Sequence, residues 1–450
     1  MTTVGAPDER ARGTRFHARV LEATTPNEIL HEIQRTDSDP EGAAIMTAKA
    51  RIYPLHLDEV PLKAAPLLKQ EMLAVGGDSA HARGIADHTA EASGVVLLGT
   101  WSQYRRLVPK LARQPFQLAP IGRAIERALH LYTSRVPWTI RGVHRSFQVG
   151  RRTLVMGVLN VTPDSFSDGG RYLDPEAAEA RARAMAAEGA DLIDIGAEST
   201  RPGAAPLSPD AEWGRLEPVL ARLRDGIAVP ISIDTRSPEV ARRALAAGAD
   251  LVNDVGGLRL AEMRAVVARS GAPAVILHMR GTPDTMQNDT VYDDLRGEVF
   301  AYLVDAVGQA VRDGISERQL LVDPGLGFGK TAEQSLELLT HLGELRSLGL
   351  PIVVGASRKS FLGKLAGGAA PAERLEAGLA AAVLASLQGA AVVRTHDVGP
   401  TVRALRLVDA VRHPAPAADA ASVGEGPDGQ SERFAAEEAG SSVSSNNEPT

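Results

Sequence analysis

The sequence predicts an α/β protein built around a (β/α)8 TIM barrel, preceded by a small α/β N-terminal domain and followed by a disordered tail. Three observations predict the barrel. Eight short apolar runs fall within about 260 residues, helical stretches with start signals lie between them, and nearly every run ends in a polar residue.

The runs are LVMGVLN (154–160), LIDIG (192–196), PISID (230–234), LVND (251–254), AVILH (274–278), LLVDP (320–324), IVVGAS (352–357) and AVVRTH (391–396). Most lack strict apolar–polar alternation, as strands buried on both faces do. Between them, Asp174-Pro175-Glu176, Ser208-Pro209-Asp210 and Ser237-Pro238-Glu239 each place a capping side chain, then proline at the first helical position, then an acid. An open doubly wound sheet is the alternative; the count of eight favours a closed barrel.

Two shifts in composition divide the chain. Residues 1–133 read as an N-terminal α/β extension, in which strand-like stretches such as ARIYPLHLDEV and GVVLLGT alternate with helical ones such as PNEILHEIQ and WSQYRRLVPKLAR. Gly76-Gly77-Asp78 after a helical stretch is expected to be a C-cap turn. Residues 134–150 read as a hairpin linker at the barrel base, 151–411 as the barrel, and 412–450 as a tail rich in Pro, Gly, Ser and acids. That tail carries too little apolar surface to offset its ordering entropy.

Composition excludes several functions. With 49 Lys+Arg against 56 Asp+Glu the net charge is −7, the wrong sign for nucleic acid or an anionic membrane as main partner. The absence of cysteine removes disulfides, thiolate metal sites and a cysteine nucleophile. No run of about 18 uncharged apolar residues occurs, and the first residues carry charge where a secretory leader needs an apolar stretch, so a cytoplasmic location is expected.

The polar ends of the runs are Asn160, Glu198 to Arg201, Asp234, Asn253 with Asp254, His278, Asp323, Ser357 to Lys359, and Arg394 with His396. In a barrel these ends meet at one mouth. Taken singly, each could be a loop cap; eight together point to a site. GLGFGKT (325–331) is not a Walker A loop, because Pro324 stands where the first glycine is required. None of the eleven histidines falls in an HExxH pattern.

The series LNVTPDSFSDGG (159–170), GAESTRPG (196–203), IDT (233–235), NDV (253–255), HMRGTP (278–283), DPGLGFGK (323–330), SRKS (357–360) and RTHDV (394–398) resembles the dihydropteroate synthase family across the whole barrel. Leu326 and Thr395 depart from the Phe and Val of many relatives, without removing a polar group.

The resemblance implies condensation of 6-hydroxymethyl-7,8-dihydropterin diphosphate with 4-aminobenzoate, giving 7,8-dihydropteroate and diphosphate. It implies that Asp323 accepts the guanidine-like ring edge, Lys359 reaches the ring carbonyl, and Asp234 and Asn253 bond the remaining nitrogens, with Arg394 against the ring. A carboxylate facing two donors is a strong bidentate acceptor. Diphosphate would be met by Asn160, Thr200, Arg394 and His396, with Asn160 a ligand for Mg2+. Asp234, Lys359, Arg394 and His396 are the expected catalytic residues. Phe166, Thr200, Arg201, Pro202, Phe328 and Ser360 would form the aminobenzoate pocket, where sulfonamides would compete. The weakly basic amine and the conjugated ring imply a dissociative, SN1-like route, and family analogy implies a homodimer. Two other readings are a pterin-binding methyltransferase barrel, expected to lack STRPG and SRKS, and a pterin-binding module without turnover, expected to lose the loop or cation residues.

Overall fold

Branched apolar residues at both faces of the runs make eight parallel strands, and helices, the first three of them proline-led, return the chain between them. The computed structural model describes residues 19–23, 25–85, 87, 89–134, 136–162, 174–198 and 207–412. Before the barrel come α1 (Pro26–Gln34), α2 (Pro40–Thr47), β1 (Ile52–Pro61), α3 (Ala64–Ala74), β2 (Asp78–His81), β3 (Ala92–Thr100), α4 (Trp101–Leu111) and α5 (Leu118–Thr133). A hairpin of β4 (Trp138–Arg141) and β5 (Ser146–Val149) follows. The barrel runs β6 (Leu154–Asn160), α6 (Pro175–Glu188), β7 (Leu192–Gly196), α7 (Pro209–Leu223), β8 (Ile231–Asp234), α8 (Pro238–Ala247), β9 (Leu251–Asp254), α9 (Ala261–Ser270) and β10 (Ala274–Leu277). It continues through α10 (Leu295–Arg312), β11 (Leu320–Asp323), α11 (Ala332–Thr340), β12 (Val353–Gly355), α12 (Ser360–Leu365), α13 (Leu375–Gln388), β13 (Val392–Thr395) and α14 (Val398–Arg412).

The strand order is β11-β10-β9-β8-β7-β6-β13-β12, and a parallel bridge between Val322 and Ile352 closes the ring. This is the TIM barrel the sequence predicts, not the open sheet. The cap residues act as expected. Asp174 accepts from the Glu176 N–H, Ser208 from Ala211 and Ser237 from Val240. The last helix reaches Arg412, and the tail beyond it lies outside the described residues.

Alternation along each strand separates two cores. Ile193, Ile195, Ile231, Ile233, Val252 and Val393 face outward and pack under the helices. Leu154, Met156, Leu192, Leu251, Val275, Leu321, Val353 and Val392 face inward at the barrel base. There the hairpin seals them, because Ile140, Phe147 and Val149 join the same cluster. Buried Asp250 locks the hairpin: its Oδ1 accepts from the N–H groups of His144 and Arg145, and its Oδ2 pairs with the Arg145 guanidinium at 2.7 Å. Ile140 is fully buried, so Ile140→Ala should cost about 2–5 kcal/mol from lost contact and the cavity left. Thermal denaturation should report this loss, with the Michaelis constants unchanged, since the base is remote from the mouth.

The N-terminal unit is a three-stranded antiparallel sheet, order β1-β3-β2, with its own core including Leu68, Met72, Leu97, Tyr104 and Leu107. Gly76, at φ +84°, makes the expected helix-ending turn. That turn leads into β2, which the sequence did not announce: Asp78-Ser79-Ala80-His81 is short and lacks a branched apolar residue. Helix α5 docks this unit on the barrel. Arg127 pairs with Glu317 at 3.0 Å, and Arg346 lies 4.4 Å from the Tyr132 ring centre while donating to the Tyr132 carbonyl. Glu317 precedes β11 and Arg346 precedes β12, so the contact is at the base, away from the mouth.

Candidate active site

The inward positions at the C-terminal ends of the strands are polar, and register brings them together. Asn160 lies beside Gly196, Gly196 beside Asp234, Asp234 beside Asn253, and Gly355 beside Arg394. Asp323 ends β11 next to Leu277. At the centre, the Arg394 guanidinium spans two carboxylates: Nε donates to Asp194 at 2.5 Å and Nη2 to Asp234 at 2.7 Å. Asn253 Nδ2 donates to the same Asp194 oxygen at 3.1 Å.

Opposite this network, Asp323 accepts the Gly325 N–H at 2.7 Å through one oxygen. The tight loop requires glycine there: at φ +68°, a Cβ on Gly325 would stand 1.9 Å from the His278 carbonyl. Lys359 donates to the Leu326 carbonyl and sits 4.2 Å from the Phe328 ring centre. Phe328 also packs on Val255, Leu277, Met279 and Met286, so it is a packing residue as well as a wall of the mouth. Arg358, at φ +59°, turns the chain just before Lys359 and is held by Asp397 at 2.7 Å.

At the rim, Asn160 Nδ2 lies 3.4 Å from His396 Nε2, and His396 Nδ1 lies 3.1 Å from Ser357 Oγ. With the amide donating to Nε2, the imidazole proton sits on Nδ1, facing the serine. Ser360 is exposed at the first position of α12. Phe166, Thr200, Arg201 and Pro202 lie outside the described residues.

Low solvent access shifts the titrating groups. Burial, with Asp194, Glu212 and Asp254 nearby, pushes the Asp234 carboxyl up to about 7 while Arg394 pulls it back. Burial also raises Asp323, opposed by Lys359 and the Gly325 N–H. Burial lowers Lys359 to about 8, opposed by Asp323. Burial works against the Arg394 cation, but Asp194 and Asp234 outweigh it and raise its pKa.

Two contributors, Asp194 and Lys330, were not singled out by sequence reasoning. Asp194 is fully buried in the middle of LIDIG, and a charged residue inside an apolar run was the available signal. Lys330 is buried too; its ammonium donates to His278 Nδ1 at 2.8 Å and to the carbonyls of Gly325 and Phe328, bracing the loop after β11. Burial lowers His278 to about 2, which keeps the ring neutral as the acceptor. Glu198, one of the polar run ends read from the sequence, binds Arg236 through two bonds, at 2.8 and 3.0 Å, and accepts the Leu207 N–H.

A closed barrel whose mouth sets carboxylates and an amide around a shared arginine, with a lysine opposite, defines a TIM-barrel enzyme with a buried, charge-rich site at the C-terminal ends of its strands. Residues 156–396 match the family model described as pterin binding enzyme. A dihydropteroate synthase of Synechocystis is 47% identical over 266 residues, 59% of this chain and 92% of that one. A solved dihydropteroate synthase of Xanthomonas albilineans with 4-aminobenzoic acid superposes with a TM-score of 0.57 at 44% identity, covering 62% of this chain and all of that one. A probable bifunctional folylpolyglutamate synthase/dihydropteroate synthase of Halobacterium salinarum is 40% identical over 409 residues. That match takes in 90% of this chain, including most of the unit before the barrel, yet this chain spans only 48% of that relative. The chain belongs to the pterin-binding enzymes and, within them, to the dihydropteroate synthases.

Proposed function

We propose that the barrel mouth condenses 6-hydroxymethyl-7,8-dihydropterin diphosphate with 4-aminobenzoate, releasing diphosphate and 7,8-dihydropteroate. The observation that carries this reading is the convergence of Asp234, Asn253, Asp323, Lys359 and Arg394 on one mouth, in a chain of this family. The free oxygen of Asp323 accepts from the guanidine-like ring edge, Lys359 donates to the ring carbonyl, and Asn253 and Asp234 complete the ring contacts. Arg394 supplies positive charge toward the departing diphosphate, and His396 meets it at the rim by exchanging its Asn160 or Ser357 contact for a phosphate oxygen. Phe328 and Ser360, with Phe166, Thr200, Arg201 and Pro202, receive the aminobenzoate. The protein's contribution is to hold the two reactants in line and stabilise charge, without a covalent intermediate. A dissociative route fits this set of residues, because the conjugated ring can carry positive charge at its methylene. Isotope effects at that carbon typical of direct displacement would exclude it.

Mg2+ fits the donor set in one way. Among the described residues no group of three or more His, Asp or Glu side chains could hold a metal. Asn160, with its Nδ2 toward His396, offers one hard oxygen. Mg2+ is commonly held by few protein oxygens plus substrate phosphates. Asn160 would therefore hold an ion brought by the diphosphate, and when bound it would add positive charge beside the leaving group.

The deciding assay measures diphosphate release from the pterin diphosphate, with and without 4-aminobenzoate and Mg2+. Release that requires the amine supports the reading, and release indifferent to it sinks the reading. Lys359 adds a pH signature. As a cation it binds the ring carbonyl, so its lowered pKa of about 8 predicts that kcat/KM for the pterin substrate falls as pH rises through 8. Lys359→Arg should move that limb above the measurable range.

A homodimer through α13 and α14 is part of the same reading. Leu384 and Leu387 on α13 and Leu407 and Val411 on α14 are exposed, and Arg412 donates to the Ser386 carbonyl, joining the two helices. Apolar residues gathered on adjoining helices suit a second copy. In sedimentation, Leu387→Glu combined with Leu407→Glu should be monomeric where the parent chain is dimeric. No described helix is long and apolar enough to cross a membrane, and a cytoplasmic enzyme is the location we propose.

A further inference from the structure

We propose that Asp194 is a positioning residue that sets the donor and acceptor sense of the pterin pocket, holding the Asn253 amide with its oxygen toward the ligand. The inference rests on the pterin reading above.

A side-chain amide has one donating end and one accepting end of nearly the same shape, so its orientation has to be imposed by its neighbours. Asp194 imposes it. Its side chain is fully buried, paired to the Arg394 guanidinium at 2.5 Å, and its Oδ2 faces Asn253 Nδ2 at 3.1 Å. A carboxylate in an ion pair offers acceptors only. Only the nitrogen of Asn253 can face it, which leaves Oδ1 to meet a ring N–H or amine.

The same oxygen fixes a second group. Arg394 reaches Asp234 through Nη2 while its Nε is held by Asp194, so one carboxylate sets the planes of both the amide and the guanidinium. Asp194 sits deeper than Asp234: it precedes the end of β7, in register with Ser232 of β8. It therefore acts through Asn253 and Arg394, without touching the ring. Its other oxygen, Oδ1, and the register-paired Ser232 Oγ are both buried without a partner among the described residues. Asp194 is thus oriented by the two groups it serves.

The test measures binding of 6-hydroxymethyl-7,8-dihydropterin to the full chain by calorimetry, for the parent, Asp194→Asn, Asn253→Ala and the double variant. An amide at position 194 can pair with Asn253 in either sense, so Asp194→Asn should weaken binding at least about tenfold. In the Asn253→Ala background most of that loss should vanish, and the KM for 4-aminobenzoate at saturating pterin should stay unchanged. Unaltered affinity in folded Asp194→Asn, or fully additive losses, overturns the proposal. Should Asp194→Asn fail to fold, neutron diffraction from the deuterated parent protein decides. Deuterons on the Asn253 atom facing Asp194 support the assignment, and their absence from that atom overturns it. A parent chain that does not bind the dihydropterin would remove the pterin reading itself, whereas a parent that binds beside an unaffected variant removes only this inference.

Discussion

Arg394→Met should cost about 3–5 kcal/mol of stability and abolish turnover, the largest combined effect expected of any single change. The guanidinium is the shared partner of Asp194, which is fully buried, and Asp234, which is nearly so. Removing one member of such a network leaves uncompensated carboxylates in a poorly solvated interior, which costs more than the intact network contributes. The loss carries a pH signature. Burial already raises Asp234 to about 7, well above the value of a solvated aspartate, and without Arg394 it rises further. A carboxyl raised in the folded state favours folding below its unfolded pKa, and that contribution disappears as pH climbs through the folded value. The deficit of Arg394→Met should therefore be smaller at pH 5 than at pH 8. Equal deficits at the two pH values would show that the carboxylates are not the cause.

Asp323→Asn should lower kcat/KM for the pterin diphosphate about a hundredfold while leaving the fold intact. The substitution is nearly isosteric, and an amide oxygen can still accept the Gly325 N–H. What is lost is a charged acceptor facing two donors of the ring edge. Charged hydrogen bonds contribute roughly 1.5–3 kcal/mol each, and about 1.4 kcal/mol corresponds to a factor of ten. Replacing the second acceptor by an amide nitrogen adds a donor facing a donor. Calorimetry with the dihydropterin should show the whole effect in affinity, with the KM for 4-aminobenzoate unmoved. A variant that binds the pterin normally and is slow only in turnover would assign Asp323 to chemistry instead.

Much of the mouth could be read from strand ends alone. Asn160, Asp234, Asn253, Asp323, Arg394 and His396 each close an apolar run, and a parallel barrel leaves the ends of its strands on one side. Lys359 and Ser360 followed from SRKS after the seventh strand of the barrel. Asp194 escaped this reading because it stands within a run: only its inward orientation, set by the flanking Ile193 and Ile195 facing the helices, brings it to Arg394, two hundred residues later in the chain. Lys330 escaped for a related reason. In sequence it only ends a glycine-rich loop that fails the Walker A pattern, while in the fold it turns inward and is saturated by His278 and carbonyl oxygens. The strand β2 was missed because Asp78–His81 carries no apolar pattern and forms by pairing with β3.

By itself the sequence determined the (β/α)8 class, the helix starts and the identity of the polar strand ends, because these rest on periodicity and capping between residues near in the chain. Which of those groups share a proton, a charge or an orientation was decided by the tertiary structure. The ion pairs of Arg394 with Asp194 and Asp234, the amide sense of Asn253 and the pKa shifts depend on distances across the barrel and on the exclusion of water. Neither quantity is written in local order along the chain.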